Sequence, residues 1–141
     1  MFKQMDHVGM SVKDMEKAIA FYRDIIGMEI SLDTEFDSPL ADIIGSPGAK
    51  ARVVHMRLGE SVVELFDYRQ PKGREPRPDA NQSDFGLTHI GFFVKGFQKT
   101  YDDLKQKGVK FLGKPVEIRP GVHVAYFQGA EHEVCEMREI T

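Results

Sequence analysis

Apolar and polar positions alternate with period two over 7–12 and again over 89–94. In the first stretch Val8, Met10 and Val12 share one face and His7, Gly9 and Ser11 the other. In the second, Ile90, Phe92 and Val94 lie opposite His89, Gly91 and Phe93. Such alternation belongs to a strand with two unlike faces. After the first stretch, Met15, Ala18, Ile19, Tyr22, Ile25 and Ile26 recur at helical spacing; Asp14 precedes them as a candidate N-cap and Gly27 follows as a candidate left-handed terminus. Phe97, Tyr101 and Leu104 form the matching stripe after the second stretch, ending at Gly108. A unit that recurs in this way fixes the architecture before any single residue does.

The rest of the pattern completes the two copies. Residues 3–12 and 87–94 read as strands, and Met28–Leu32 as another. Residues 33–50 read as a loop with a short helical turn at 40–44. Val53–Leu58 and Ser61–Asp67 form a hairpin about Gly59-Glu60. In the second half, Lys110–Leu112 reads as a short strand, Pro115 and Pro120-Gly121 as loop, and Val122–Gln128 with Glu133–Glu139 as a closing hairpin. The order β-α-β-β-β, twice, predicts an α+β fold in which two βαβββ modules form a cupped mixed β-sheet. Residues 1–141 are expected to make a single domain: module one at 1–68, a Pro- and Gly-containing linker loop at 69–86, and module two at 87–141.

Composition narrows the function classes. A net charge of −3 gives no field that would attract nucleic acid or an anionic membrane, and no apolar run reaches the length of a span. A single cysteine, Cys135, excludes an internal disulfide framework and a cysteine-rich zinc site. No basic-then-apolar leader opens the sequence, so a cytoplasmic location is expected.

The chemistry sits where the repeat and the alternation coincide. Glu64 interrupts the apolar run Val62–Phe66, and Glu136 the run Val134–Met137. Val63 and Leu65, like Cys135 and Met137, take the helix side, which leaves Glu64 and Glu136 on the face of the histidines. A carboxylate amid apolar strand residues is costly unless something pairs with it. One His on the first strand and one Glu on the last strand of each module make a metal set of His7, Glu64, His89 and Glu136. This N₂O₂ set suits Zn²⁺, Ni²⁺ or Co²⁺, with Fe²⁺ or Mn²⁺ as further choices. His55 and His123, on hairpin strands outside the repeat, and His132, in a turn, read as structural or solvated. Glu131 and Glu133 read as solvated, and Cys135 as a small buried apolar residue.

Asp6–Val12, Phe21–Gly27, Val63-Glu64-Leu65, 87–92, and Tyr126-Phe127 with Cys135-Glu136-Met137 together resemble the vicinal oxygen chelate superfamily, which includes glyoxalase I, methylmalonyl-CoA epimerase, bleomycin-resistance proteins and extradiol dioxygenases. The resemblance implies the paired-module fold, a divalent ion held by His7, Glu64, His89 and Glu136, and a homodimer. It implies a lyase or isomerase that moves a proton through a metal-stabilised enediolate on a small carbonyl or thioester substrate. Glu136 would be the proton carrier and Glu64 the second carboxylate of the site. Two glutathione-binding positions of bacterial glyoxalase I are Ser11 and Tyr68 here, and Ser11 looks more like the epimerases; Asp37 and Asp42 are candidates for an epimerase's second base. The alternatives within the superfamily are an Fe(II)-dependent dioxygenase and a non-catalytic binder of a drug or metabolite.

Overall fold

The computed structural model describes residues 1–141, the side chains of Ser38 and Leu40 excepted. It divides the chain into two compact units, Met1–Glu75 and Pro76–Thr141. The first unit runs β1 (His7–Ser11), α1 (Met15–Phe21), β2 (Glu29–Phe36), α2 (Ser38–Ile44), β3 (Lys50–Leu58) and β4 (Ser61–Gln70). Its sheet has the order β1-β4-β3-β2, with β1 and β4 parallel and the other neighbours antiparallel.

Local chemistry explains α1. The Asp14 side chain accepts from the Lys17 backbone N–H at 3.0 Å, which satisfies one of the free donors at the helix start. Met15, Ala18, Ile19 and Tyr22 form the buried stripe. The helix widens into one π-turn over Tyr22–Ile26 and stops at Gly27, whose φ of 88° is open to glycine at little cost. Val54, Met56, Val63 and Leu65 form the buried sheet face on the α1 side. On the other face Ala51 and Val53 are buried, with Ala41 of α2, Phe66 and Tyr68 packed against them.

The second unit repeats the plan as β5 (Ile90–Phe93), α3 (Phe97–Gln106), β6 (Val116–Arg119), β7 (Val122–Gln128) and β8 (Val134–Ile140), in the order β5-β8-β7-β6. β5 and β8 are again the parallel pair. Gly96 begins α3 without a capping side chain of its own; Glu139 of β8 takes that role, accepting from the Gly96 and Phe97 backbone N–H groups at 2.6 and 3.1 Å. Gly108, at φ 81°, follows the helix. His123 points to the α3 side, its ring 5.6 Å from that of Phe97, as a structural histidine would.

Several boundaries differ from the sequence reading. β2 continues to Phe36, and the helical turn expected at 40–44 is the longer α2, which begins at Ser38. β4 continues to Gln70, and β5 begins at Ile90, one residue after His89. Lys110–Leu112 forms only an isolated bridge, Phe111 to Phe127, whereas β6 lies in the expected loop between Pro115 and Pro120. Glu133 is half-buried and caps its turn, accepting from the Ala130 and Glu131 backbone N–H groups. Among the described residues no helix is long and apolar enough to cross a membrane.

Candidate metal centre

In the first unit, Gly9 of β1 pairs with Glu64 of β4. His7 stands two residues before Gly9 on the same face, so the glutamate side chain lies over the glycine. A Cβ at Gly9 would stand 3.7 Å from Glu64 Oε1. His7 Nε2 is 3.5 Å from that oxygen. The other ring nitrogen is held from behind: Nδ1 lies 2.7 Å from Asp6 Oδ2. This hydrogen bond raises the His7 pKa above the ordinary histidine value, against a smaller opposing effect of burial, and lowers that of Asp6. With Nδ1 engaged by Asp6, the neutral ring keeps its Nε2 lone pair for the side of Glu64.

The second unit repeats the arrangement with one change. Gly91 pairs with Glu136, and a Cβ there would meet Glu136 Oε2 at 3.3 Å. His89 Nε2 lies 2.9 Å from the same oxygen, and Nδ1 lies 2.9 Å from Thr88 Oγ1. In both units, then, the residue before the histidine holds Nδ1 and the glutamate faces Nε2. Glu64 and Glu136 are largely shielded, with 15% and 13% of their side chains exposed. Shielding a carboxylate costs less when an imidazole faces it.

His55 has a partner that the sequence reading did not find. It lies directly across the β3–β4 ladder from Glu64, and its Nε2 contacts Glu64 Oε2. The two imidazoles of the first unit thus take one oxygen each of a single carboxylate, with their rings 6.2 Å apart and 26° from parallel. The signal was available in the hairpin: counting outward from Leu58 and Ser61 across the Gly59-Glu60 turn puts His55 opposite Glu64. The same count in the closing hairpin puts Tyr126 opposite Glu136, and the Tyr126 ring lies 4.7 Å from that of His89. Asp42 is exposed on α2 and Asp37 just precedes it, neither on a strand of the sheet.

Each unit therefore brings one predicted histidine together with one predicted glutamate. The donor chemistry of each pair, one Nε2 lone pair and one carboxylate with the ring oriented through Nδ1, is of the kind that ligates a divalent ion. Among the described residues no three His, Cys, Asp or Glu side chains are grouped so as to hold a metal ion.

The sequence model of the Glyoxalase/Bleomycin resistance protein/Dioxygenase superfamily matches residues 4–133. The chain belongs to this superfamily. Among its relatives, the 2-epi-5-epi-valiolone epimerase of an Actinomyces species is 31% identical over 121 residues, covering 82% of this chain and 65% of that protein. The human mitochondrial methylmalonyl-CoA epimerase is 31% identical over 123 residues, covering 85% of this chain and 61% of that protein. The chain thus spans less than two thirds of the length of either relative. A glyoxalase family protein from Bacillus cereus superposes with a TM-score of 0.88 at 19% identity, covering 100% of this chain and 97% of that one. Lactoylglutathione lyase from Agrobacterium tumefaciens superposes with a TM-score of 0.64 at 17% identity, covering 96% of this chain and 92% of that one. At such identities the two structures speak for the glyoxalase fold: two four-stranded mixed sheets, ordered β1-β4-β3-β2 and β5-β8-β7-β6.

Proposed function

We propose that this superfamily member is a divalent-metal-dependent isomerase or lyase that moves a proton at the carbon beside a carbonyl or thioester. His7, Glu64, His89 and Glu136 are its metal ligands and Glu136 its proton carrier. The observation that carries this reading is the repeated pair: in each unit an Nε2 faces a shielded carboxylate while Nδ1 is held by the preceding residue. The relatives named as epimerases support the reaction class.

A divalent ion in this set would polarise the substrate carbonyl and make the neighbouring C–H acidic. The chain's own residues supply the rest. Glu136, on the last strand, takes the proton and returns it to the same or the adjacent carbon. His55 restrains Glu64 through the oxygen that His7 does not face. Asp6 and Thr88 fix the two rings. A four-ligand set needs a pair from each kind of unit, and a homodimer would contain two of each. We place the reaction in the cytoplasm, on a small-molecule substrate.

Solvent-deuterium exchange tests the reading. Metal-loaded protein is mixed in deuterated water with methylmalonyl thioesters and 2-oxo aldehydes, and α-proton loss is followed by NMR. Exchange that stops with Glu136→Gln, while that variant keeps its metal, is the expected outcome. Exchange unchanged in Glu136→Gln would remove Glu136 from the proton step. Iron dependence with oxygen uptake and no exchange would favour the dioxygenase instead.

A further inference from the structure

Arg138 lies on β8 two residues beyond Glu136, so strand alternation sends both side chains to one face, opposite the buried Cys135 and Met137. Its register neighbours on that face are Phe93 of β5 and Val124 of β7, which leave the arginine between two apolar side chains. Its Nε is buried and has no hydrogen-bond partner among the described residues. Arg23, Arg52, Arg69 and Arg77, by contrast, each face a carboxylate. The first unit shows what the repeat would otherwise put here. The position two beyond Glu64 is Phe66, stacked on Tyr68 with rings 5.7 Å apart. The duplication therefore keeps the histidine and the glutamate and replaces this aromatic by a cation.

A guanidinium only donates hydrogen bonds, and its planar fork matches a carboxylate. A buried donor without a partner is costly, and an arriving acceptor removes that cost. We infer that Arg138 is an anion seat: it binds a carboxylate of the substrate on the second unit's site face, next to Glu136. This rests on the proposed reaction, in that the anion belongs to the molecule on which Glu136 acts. It narrows the substrate class to carbonyl or thioester compounds that carry a free carboxylate, and it orients them, since the Phe66 position of the first unit offers no such partner.

The test uses full-length, chelator-treated protein with ¹⁵N-labelled arginine, the Arg138 Nε–H resonance being assigned by its loss in Arg138→Lys. Malonate is the probe, with malonamide and inorganic phosphate as comparisons at equal ionic strength. Malonate should shift that resonance saturably and malonamide should not. Arg138→Gln should weaken malonate binding roughly ten- to hundredfold, with Arg138→Lys losing less. No malonate shift, equal binding by Arg138→Gln, or an equal response to phosphate would overturn the carboxylate seat. Because the measurement needs neither metal nor turnover, it separates the two proposals. A retained malonate shift with no deuterium exchange removes the reaction alone, and the reverse removes the seat alone.

Discussion

His55 sits directly opposite Glu64 across the β3–β4 ladder and holds the carboxylate oxygen that His7 does not face. A ligand carboxylate free to rotate must be ordered when a metal binds; one already restrained loses less freedom. In the proposed metal site His55 would therefore act through Glu64. The second unit puts a phenol-bearing ring, Tyr126, at the matching place.

From this relationship, His55→Phe should weaken divalent-metal affinity about ten- to hundredfold. His55→Gln, which can still donate to Glu64, should lose less. Calorimetric titration of chelator-stripped protein with Co²⁺ checks both variants. Equal affinity in wild type and His55→Phe would show that Glu64 needs no such restraint.

The glycines beside the glutamates make an internal comparison. A Cβ at Gly91 would stand 3.3 Å from Glu136 Oε2, so the carboxylate must give by a few tenths of an ångström, which disturbs its 2.9 Å approach to His89. A Cβ at Gly9 makes ordinary contacts, 3.6 Å to Phe66 and 3.7 Å to Glu64. Gly91→Ala should cut exchange activity and metal affinity while changing stability by less than about 1 kcal/mol, since the atom that moves is a side-chain tip. Gly9→Ala should leave both near wild type. Metal titration with thermal unfolding of the two variants decides it, and equal effects would contradict the proposed crowding.

A pH dependence follows from Asp33, which accepts from Arg52 at 2.9 and 2.8 Å and is held below its ordinary value of 3.8 chiefly by that hydrogen bond. A carboxyl with a depressed folded pKa binds fewer protons than in the unfolded chain. Its stabilisation is therefore full above the unfolded value and is lost as pH falls through the folded one. Because Asp33 is 39% exposed, the amount should stay under about 1 kcal/mol after solvent screening. Wild type should melt above Asp33→Asn near neutral pH, and the gap should close as pH falls below 3.8. Thermal unfolding across that range checks the sign; a gap independent of pH would contradict it.

The parts of the fold that the sequence showed, and those it hid, divide along physical lines. Strands with one buried face carried their alternation openly: Val8, Met10 and Val12 against His7, Gly9 and Ser11, or Val63 and Leu65 against Glu64. The end of β2 and the whole of β6 did not, and both are the last strand in their sheet's order. Every residue of β6 is exposed, and only Thr34 of β2 is not, so neither strand needs a buried row to write a period-two pattern. β6 also fits between Pro115 and Pro120, which bound it without entering it. The two pairs, His7 with Glu64 and His89 with Glu136, were legible because the repeat marked them twice. His55 escaped because its counterpart is a tyrosine, so repetition gave no signal and only the hairpin count did. Arg138 escaped for the same reason, its counterpart being Phe66.

The central claim is that both histidines, one from each unit, serve a single divalent ion. Co²⁺ titration of wild type, His7→Ala and His89→Ala, followed by calorimetry and by the cobalt absorption band, tests it most directly. The account predicts one ion per chain in wild type, an affinity loss of at least about tenfold in each variant, and the same change of coordination spectrum in both. Wild-type affinity and spectrum in either variant, or no ion bound by the wild-type protein, would contradict it.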